Sequence, residues 1–309
     1  MRRLQLRASR WLNRKLTRIS TTRLIALAFA AIILTGTLLL MTPAASRSGV
    51  SCSFRGALFT ATSATCVTGL TLFDTWSQWS AFGQGVILAL IEIGGLGFMS
   101  AASIFVFVLR RRVGMKQRLV MAQSLSVDDM SSVVDLQKVV LKGSLSIQAI
   151  GAAILFLRFW PEVGPRKALH WGVFHSISAF CNAGFDIMGV YHPGSSVMLY
   201  NTDYIVCLTL MALVVLGGLG FFVWEEVARV RQFKKLSVYT KLVLIITGSL
   251  LLFGTVSFAI LEWDNPATLG CMSWHHKLLN AAFQSVTVRT AGFIAVDQAA
   301  LTEASKAVS

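Results

Sequence analysis

Three short stretches of this chain share one pattern, and that pattern limits what the chain can fold into. Phe59–Leu70, Phe174–Phe185 and Phe283–Phe293 each start with Phe and carry a hydroxyl residue four places on (Ser63, Ser178, Thr287). Each ends in Gly followed by a large apolar residue, and the third is one residue shorter than the others. All are too short and too polar to cross a bilayer, yet each lies between segments that can. Non-helical backbone survives at membrane depth only if it is buried in protein or lines a watery path. A repeated re-entrant element therefore points to a pore rather than to a pocket.

Composition agrees with a membrane protein. The 309 residues are 55% hydrophobic and 14% charged, with a mean hydropathy of +0.66. A span takes roughly 20 helical residues. Five stretches qualify, near 22–42, 82–109, 139–159, 203–226 and 240–261. The net charge of +14 raises the question of nucleic acid, and its distribution answers it. Arg2, Arg3, Arg7, Arg10, Arg14, Lys15 and Arg18 precede the first span. Arg110, Arg111, Arg112, Lys116 and Arg118 follow the second, and Arg229, Arg231, Lys234 and Lys235 follow the fourth. The other loops mix fewer cations with Asp74, Glu162, Asp186, Glu262 and Asp264. That alternation places the N-terminus in the cytoplasm, and no basic face with interleaved aromatics suits nucleic acid.

The basic start, apolar run and Thr42-Pro-Ala-Ala-Ser46 also fit a cleaved secretory signal. The run is longer than a usual signal core and the next segment fits the first repeat, so a retained span is preferred. Cys66 and Cys181 fall inside the repeated motif and Cys207 inside a span, leaving a Cys52–Cys271 bridge open but unsupported. His275-His276 lacks a third ligand, which favours capping or interface use over a metal.

The organising unit is span, re-entrant loop, span. This divides the chain into a basic N-terminus (1–21), repeat one (22–112), a cytoplasmic linker (113–137), repeat two (138–235) and a partial repeat three (236–309). A second element recurs in step with it: Ile93-Gly-Gly-Leu-Gly-Phe98 returns as Leu216-Gly-Gly-Leu-Gly-Phe221. Such glycine runs let helices approach closely, and helix packing is their expected main role. Phe54–Thr65, Ala168–Phe180 and Lys277–Val288 read as half-depth pore helices. Entering from outside, each turns its partly negative C-terminal end toward mid-membrane, which favours a cation. The stretches after these helices form the candidate filter: Thr65, Cys66, Val67, Thr68 and Gly69; Cys181, Asn182, Ala183 and Gly184; Arg289, Thr290, Ala291 and Gly292. Their backbone carbonyls can replace the water shell of a dehydrating ion.

Ala64-Thr-Cys-Val-Thr-Gly-Leu70, Ile93–Phe98, Asn182-Ala-Gly-Phe185 and Phe283–Phe293 together resemble the Trk/Ktr/HKT superfamily of K⁺ transporters, nearest to the bacterial KtrB type. The resemblance covers nearly the whole chain. It implies an all-α integral membrane fold of outer helix, pore half-helix, filter and inner helix, repeated around a pseudo-fourfold ion pore. The filter glycines fall on Gly69, Gly184 and Gly292, and glycine rather than serine at the first implies K⁺. It further implies K⁺ uptake in a bacterial inner membrane, with Na⁺ as a possible coupling ion. The implied partners are a second copy, membrane lipids and a cytosolic nucleotide-binding regulatory subunit of the KtrA/TrkA type. No cofactor is expected on this chain, and no Walker A or G-x-G-x-x-G motif is present to bind a nucleotide.

Against that family the chain stops before a third inner helix and a fourth repeat, so three of four pore loops are expected in a truncated product or fragment. Glu92 is a second departure: an acid inside the second span is a functional candidate, with a packing role equally open. Competing readings are Na⁺ or mixed-cation transport and a non-conducting membrane fragment. An enzyme is not expected, because no set of acids, His or nucleophile converges at one depth.

Overall fold

In a computed structural model of the chain, residues 21–97, 133–190 and 192–309 are described. The basic segment 1–20, the cations from Arg110 to Arg118, the end of the second expected span (98–109) and most of the linker 113–137 lie outside them. Regular structure among the described residues is helical, apart from one β-bridge between Ser46 and Trp79.

The first group comprises α1 (Thr21–Leu40), α2 (Phe54–Cys66), the short α3 (Thr75–Gln78) and α4 (Ala81–Gly95). Ser53 starts α2 by accepting from the Gly56 amide (3.3 Å), and Ser80 starts α4 by accepting from Gly83 (3.2 Å). Such caps satisfy amides that have no partner inside the helix. The second group comprises α5 (Val133–Val163), α6 (Pro165–Phe180), α7 (Tyr204–Leu219) and α8 (Phe221–Val230). Gly164 at φ 78° ends α5, and Pro165 opens α6 at the position where its missing N–H costs nothing. The third comprises α9 (Val238–Glu262), α10 (Trp274–Thr287) and the terminal α11 (Glu303–Val308).

Helices pack within each group and then across groups. α1, α2 and α4 touch one another, as do α5, α6 and α7, and α9 packs on α10. Between groups, α4 meets α6 and α7 meets α10. One contact repeats in register: a Cβ on Gly36 of α1 would stand 2.7 Å from Leu90 of α4, and one on Gly151 of α5 would stand 2.8 Å from Leu213 of α7. Small residues let outer and inner helices approach where no hydrophobic effect pulls them together.

Val139–Val163 and Val238–Glu262, 25 residues each, are long and apolar enough to cross a membrane. The outward face of α9 is uniformly greasy, with Leu252 67%, Phe253 65% and Ile260 72% exposed. A soluble protein does not leave a helix face like this in water. The chain is an all-α integral membrane protein.

One expected span takes a different shape. Residues 203–226 do not form one straight helix: α7 ends at Leu219 and α8 leaves it at 98°. Gly220, at φ 80° and ψ 148°, makes the corner. Glu226 of α8 then accepts from the Ser237 amide and hydroxyl (both 2.7 Å) and from the Thr240 hydroxyl, fixing the start of α9. The repeated glycine run thus turns the backbone as well as packing it. Beyond Gly97, itself at φ 81°, the first copy passes out of the described residues.

Candidate functional site

Each group delivers one half-depth helix to a common locus. α2, α6 and α10 contain 13, 16 and 14 residues. They end within a residue or so of the expected points, and α6 and α10 begin three residues earlier than the sequence suggested.

Past each helix end the backbone repeats a conformation. Val67 (φ 55°), Asn182 (56°) and Thr290 (69°) are left-handed, and Gly69 (73°), Gly184 (69°) and Gly292 (75°) come two residues later. Positive φ costs a residue with a Cβ roughly 1–2 kcal/mol, and glycine escapes that cost. The amide between each pair turns back onto the helix. Thr68 N donates to Ser63 O (3.0 Å), Ala183 N to Ser178 O (2.8 Å) and Ala291 N to Thr287 O (2.9 Å). The residue missing from the third stretch is lost before this pair, so the pair itself is identical in all three.

The recurring hydroxyls hold the loops. Ser178 Oγ donates to Phe185 O and Thr287 Oγ1 to Phe293 O, both at 2.6 Å. Ser63 differs, bonding the Thr68 hydroxyl at 2.9 Å.

The three glycines meet. A Cβ on Gly184 would stand 2.9 Å from Ala291 O, 3.0 Å from Gly292 Cα and 3.3 Å from Gly69 Cα. A Cβ on Gly69 would stand 3.0 Å from Ala183 O. Gly184 therefore lies between the other two, and the backbones touch. Behind them, the inner-helix glycines seat the pore helices. A Cβ on Gly94 would overlap the Thr65 carbonyl oxygen, and one on Gly217 would overlap that of Phe180.

The residues of the expected filter take different places in the structure. Thr65 and Cys66 belong to α2, and the Thr65 carbonyl faces Gly94 rather than the glycine cluster. Arg289 sends its guanidinium to Thr247 of α9 (3.5 Å). Other side chains of the set also point away from the cluster. With its amide nitrogen donating, Asn182 reaches Val214 O (3.3 Å) and Ala179 O (3.2 Å). Cys181 Sγ lies 3.7 Å from Glu92 Oε2, which also accepts from Gln148 Nε2 at 3.0 Å. Glu92 thus occupies the seam between α4, α5 and the end of α6, with its Oε1 buried and unpartnered. The repeat sharpens this: aligned on the glycine runs, Val215 holds the place of Glu92 in the second group.

Sequence reasoning missed the outer brace. Asp186, two residues past Gly184, accepts from Met188 N (3.1 Å) and from Ser196. Burial pushes its carboxyl up to about 6 despite these bonds. Ser196 accepts from Ile294 N (3.2 Å), next to Phe293, and Asp74 accepts from Gly194 N (3.1 Å). One loop therefore ties all three exits together; no local motif marks it, because its partners are far apart in sequence. All five cysteines are free, so the Cys52–Cys271 bridge does not form. His275 and His276 both bond Ser273 Oγ at 3.0 Å, just before α10.

Apolar helices, half-depth helices and three meeting loops of one construction define a multi-pass membrane protein built from repeated units. The chain matches the TrkH family, described as cation transport protein, over residues 4–308. It is 41% identical over 280 residues to the potassium/sodium uptake protein NtpJ of Enterococcus hirae, covering 91% of this chain and 61% of that one. It is 40% identical over 291 residues to the Ktr system potassium uptake protein B of Bacillus subtilis, covering 94% and 63%. The Vibrio alginolyticus protein of the same name is 38% identical over 283 residues, covering 91% and 61%. The chain belongs to the TrkH family of cation transport proteins. It spans about three fifths of the length of these curated relatives.

Proposed function

We propose that this chain supplies three of the filter loops of a K⁺ uptake system, in which Gly69, Gly184 and Gly292 and the residues just before them present backbone carbonyls to the ion. The observation that carries this reading is the meeting of three loops with one backbone conformation at one locus. Carbonyls turned by alternating left-handed residues can replace a hydration shell, and negative helix ends aimed there favour a cation. Because the backbones touch, an ion enters only if the loops part. K⁺ is the cargo and Na⁺ the coupling ion; no cofactor is assigned to this chain, and no covalent chemistry is needed. Permeation by Na⁺ as well is the second reading, supported by the potassium/sodium name of the Enterococcus hirae relative.

Two relatives are named as parts of a Ktr system, which supports a multi-component assembly. The partners proposed are a second copy and a cytosolic nucleotide-binding subunit. The membrane is the bacterial cell membrane, with the N-terminus inside. Cysteine labelling checks the orientation in a cysteine-free background. A cysteine replacing Ser48 is expected to react with an impermeant external reagent, and one replacing Gly114 is not. The opposite pattern would sink the orientation.

Selectivity is tested in a chimaera that continues residues 1–309 with the remainder of the Bacillus subtilis protein. Gly69→Ser adds a Cβ 3.0 Å from Ala183 O at φ 73°. It is expected to lower K⁺/Na⁺ discrimination at least about tenfold, which a shift of about 1.4 kcal/mol in relative ion binding suffices to produce. Unchanged discrimination in flux assays removes Gly69 from the filter.

A further inference from the structure

On the face where the pore helices begin, between the first and second groups, lies a pocket of about 380 Å³. Arg47, Arg166, Lys167 and His170 line it together with Trp76, Ser80 and Gln84, and no acid does among the described residues. Arg47 is held in place, its guanidinium 4.1 Å above the Trp76 ring and its Nε donating to Trp76 O at 2.7 Å. Arg166 and Lys167 occupy the first turn of α6, where Gly164 offers no side-chain cap. That placement is electrostatically wrong for a bare helix. The N-terminus carries partial positive charge and unpartnered amides, and favours anions rather than cations. The nearest acid in sequence, Glu162, is turned to Arg158 (2.6 Å) and the Tyr200 hydroxyl (2.8 Å). An independent observation concerns Gln84. It is 1% exposed; its Nε2 donates to Trp79 O (2.9 Å), but its Oε1 is buried with no donor. Such an acceptor is free to take a donor from water or from a molecule held in the pocket that Gln84 lines.

We propose that this pocket binds a phosphate ester bearing a free hydroxyl, the chemistry of a glycerol-phosphate headgroup, with Arg47, Arg166, Lys167 and the α6 N-terminus on the phosphate and Gln84 Oε1 on the hydroxyl. Arginine forks and helix amides are the usual phosphate donors, and a tryptophan at the pocket edge suits the bilayer interface. The site does not depend on ion passage or on the orientation of the chain.

The test uses the purified 309-residue chain, delipidated in detergent, with binding measured by native mass spectrometry and thermal shift. The probes are dioleoyl-phosphatidylglycerol, dioleoyl-phosphatidylethanol, dioleoyl-phosphatidylcholine and soluble glycerol 3-phosphate. Phosphatidylglycerol is expected to bind saturably and more tightly than phosphatidylcholine. Arg166→Ala/Lys167→Ala is expected to weaken it at least about tenfold, because two charge-assisted contacts are lost. The charge-conserving Arg166→Lys/Lys167→Arg chain, expected to retain binding, controls for folding. Gln84→Leu is expected to erase the preference for phosphatidylglycerol over phosphatidylethanol. Equal affinity for glycerol 3-phosphate, with the same dependence on Arg166 and Lys167, supports the site and makes its ligand soluble. Binding of both phosphate probes that is unchanged by the double alanine substitution overturns the proposal.

Discussion

Gly217→Ala is expected to destabilise the chain by about 3 kcal/mol, the upper end of what forced overpacking costs. The methyl would overlap the carbonyl oxygen of Phe180, the last residue of α6. A flexible side chain could swing aside; a backbone carbonyl at a helix end cannot move without dragging the loop that carries Gly184. The neighbouring glycine is an internal control. A Cβ on Gly218 meets only the end of the Asn182 side-chain amide, at 3.4 Å, and one on Gly248 meets nothing within 4 Å. Both alanine variants are expected to stay within about 1 kcal/mol of the parent, since alanine favours a helix. Thermal unfolding in detergent orders the three chains. If Gly217→Ala melts with Gly248→Ala, the inner helix does not seat the pore helix in this way.

Among the three loop glycines, the middle one is expected to tolerate a side chain least. Gly184→Ala combines the cost of a Cβ at φ 69° with crowding from two neighbours, Ala291 O at 2.9 Å and Gly69 Cα at 3.3 Å. The crowding of Gly69 and Gly292 comes from the Gly184 loop alone. In the chimaera, K⁺ uptake should fall most for Gly184→Ala, by about a hundredfold if 2–3 kcal/mol of strain opposes the conducting arrangement. Gly69→Ala and Gly292→Ala should retain more. Rubidium or potassium flux, normalised to membrane-inserted protein, measures the order. Equal losses at all three would mean that the loops are not stacked with Gly184 between the others.

The repeats were legible because two physical demands recur at fixed spacing. A glycine was needed where φ is positive, and a hydroxyl was needed one helical turn after the Phe to tie the loop. The outer helices were legible from apolar length alone, and Val238–Glu262 ends within two residues of the expected 240–261 at either side. The left-handed Val67 and Thr290 were not legible. A β-branched residue argues against that conformation, and only the surrounding loop imposes it. Asn182 tolerates it better, and its side-chain amide faces α7. The corner at Gly220 was also hidden. The motif Leu216–Phe221 signals close packing and backbone turning with the same residues, and only placement in three dimensions separates them. The Glu92–Gln148 pair was half visible. The acid stood out, but its partner is 56 residues away in another repeat.

The hydroxyl ties are not equivalent, and the difference bears on which loop yields first. In the second and third repeats the bond is made to Phe185 O and Phe293 O, downstream of the glycine, so the glycine sits inside a closed noose. Both phenylalanine rings are buried, 1% exposed, and pull the noose shut from behind. In the first repeat the tie stops at Thr68, upstream of Gly69, and Leu70 is 62% exposed. Gly69 is therefore tethered on one side only and keeps more of the conformational entropy that its counterparts have surrendered. A ring of nominally identical walls then has one soft wall. If an ion passes here as proposed, the displacement is expected to fall chiefly on the first loop, while the other two behave as a fixed template.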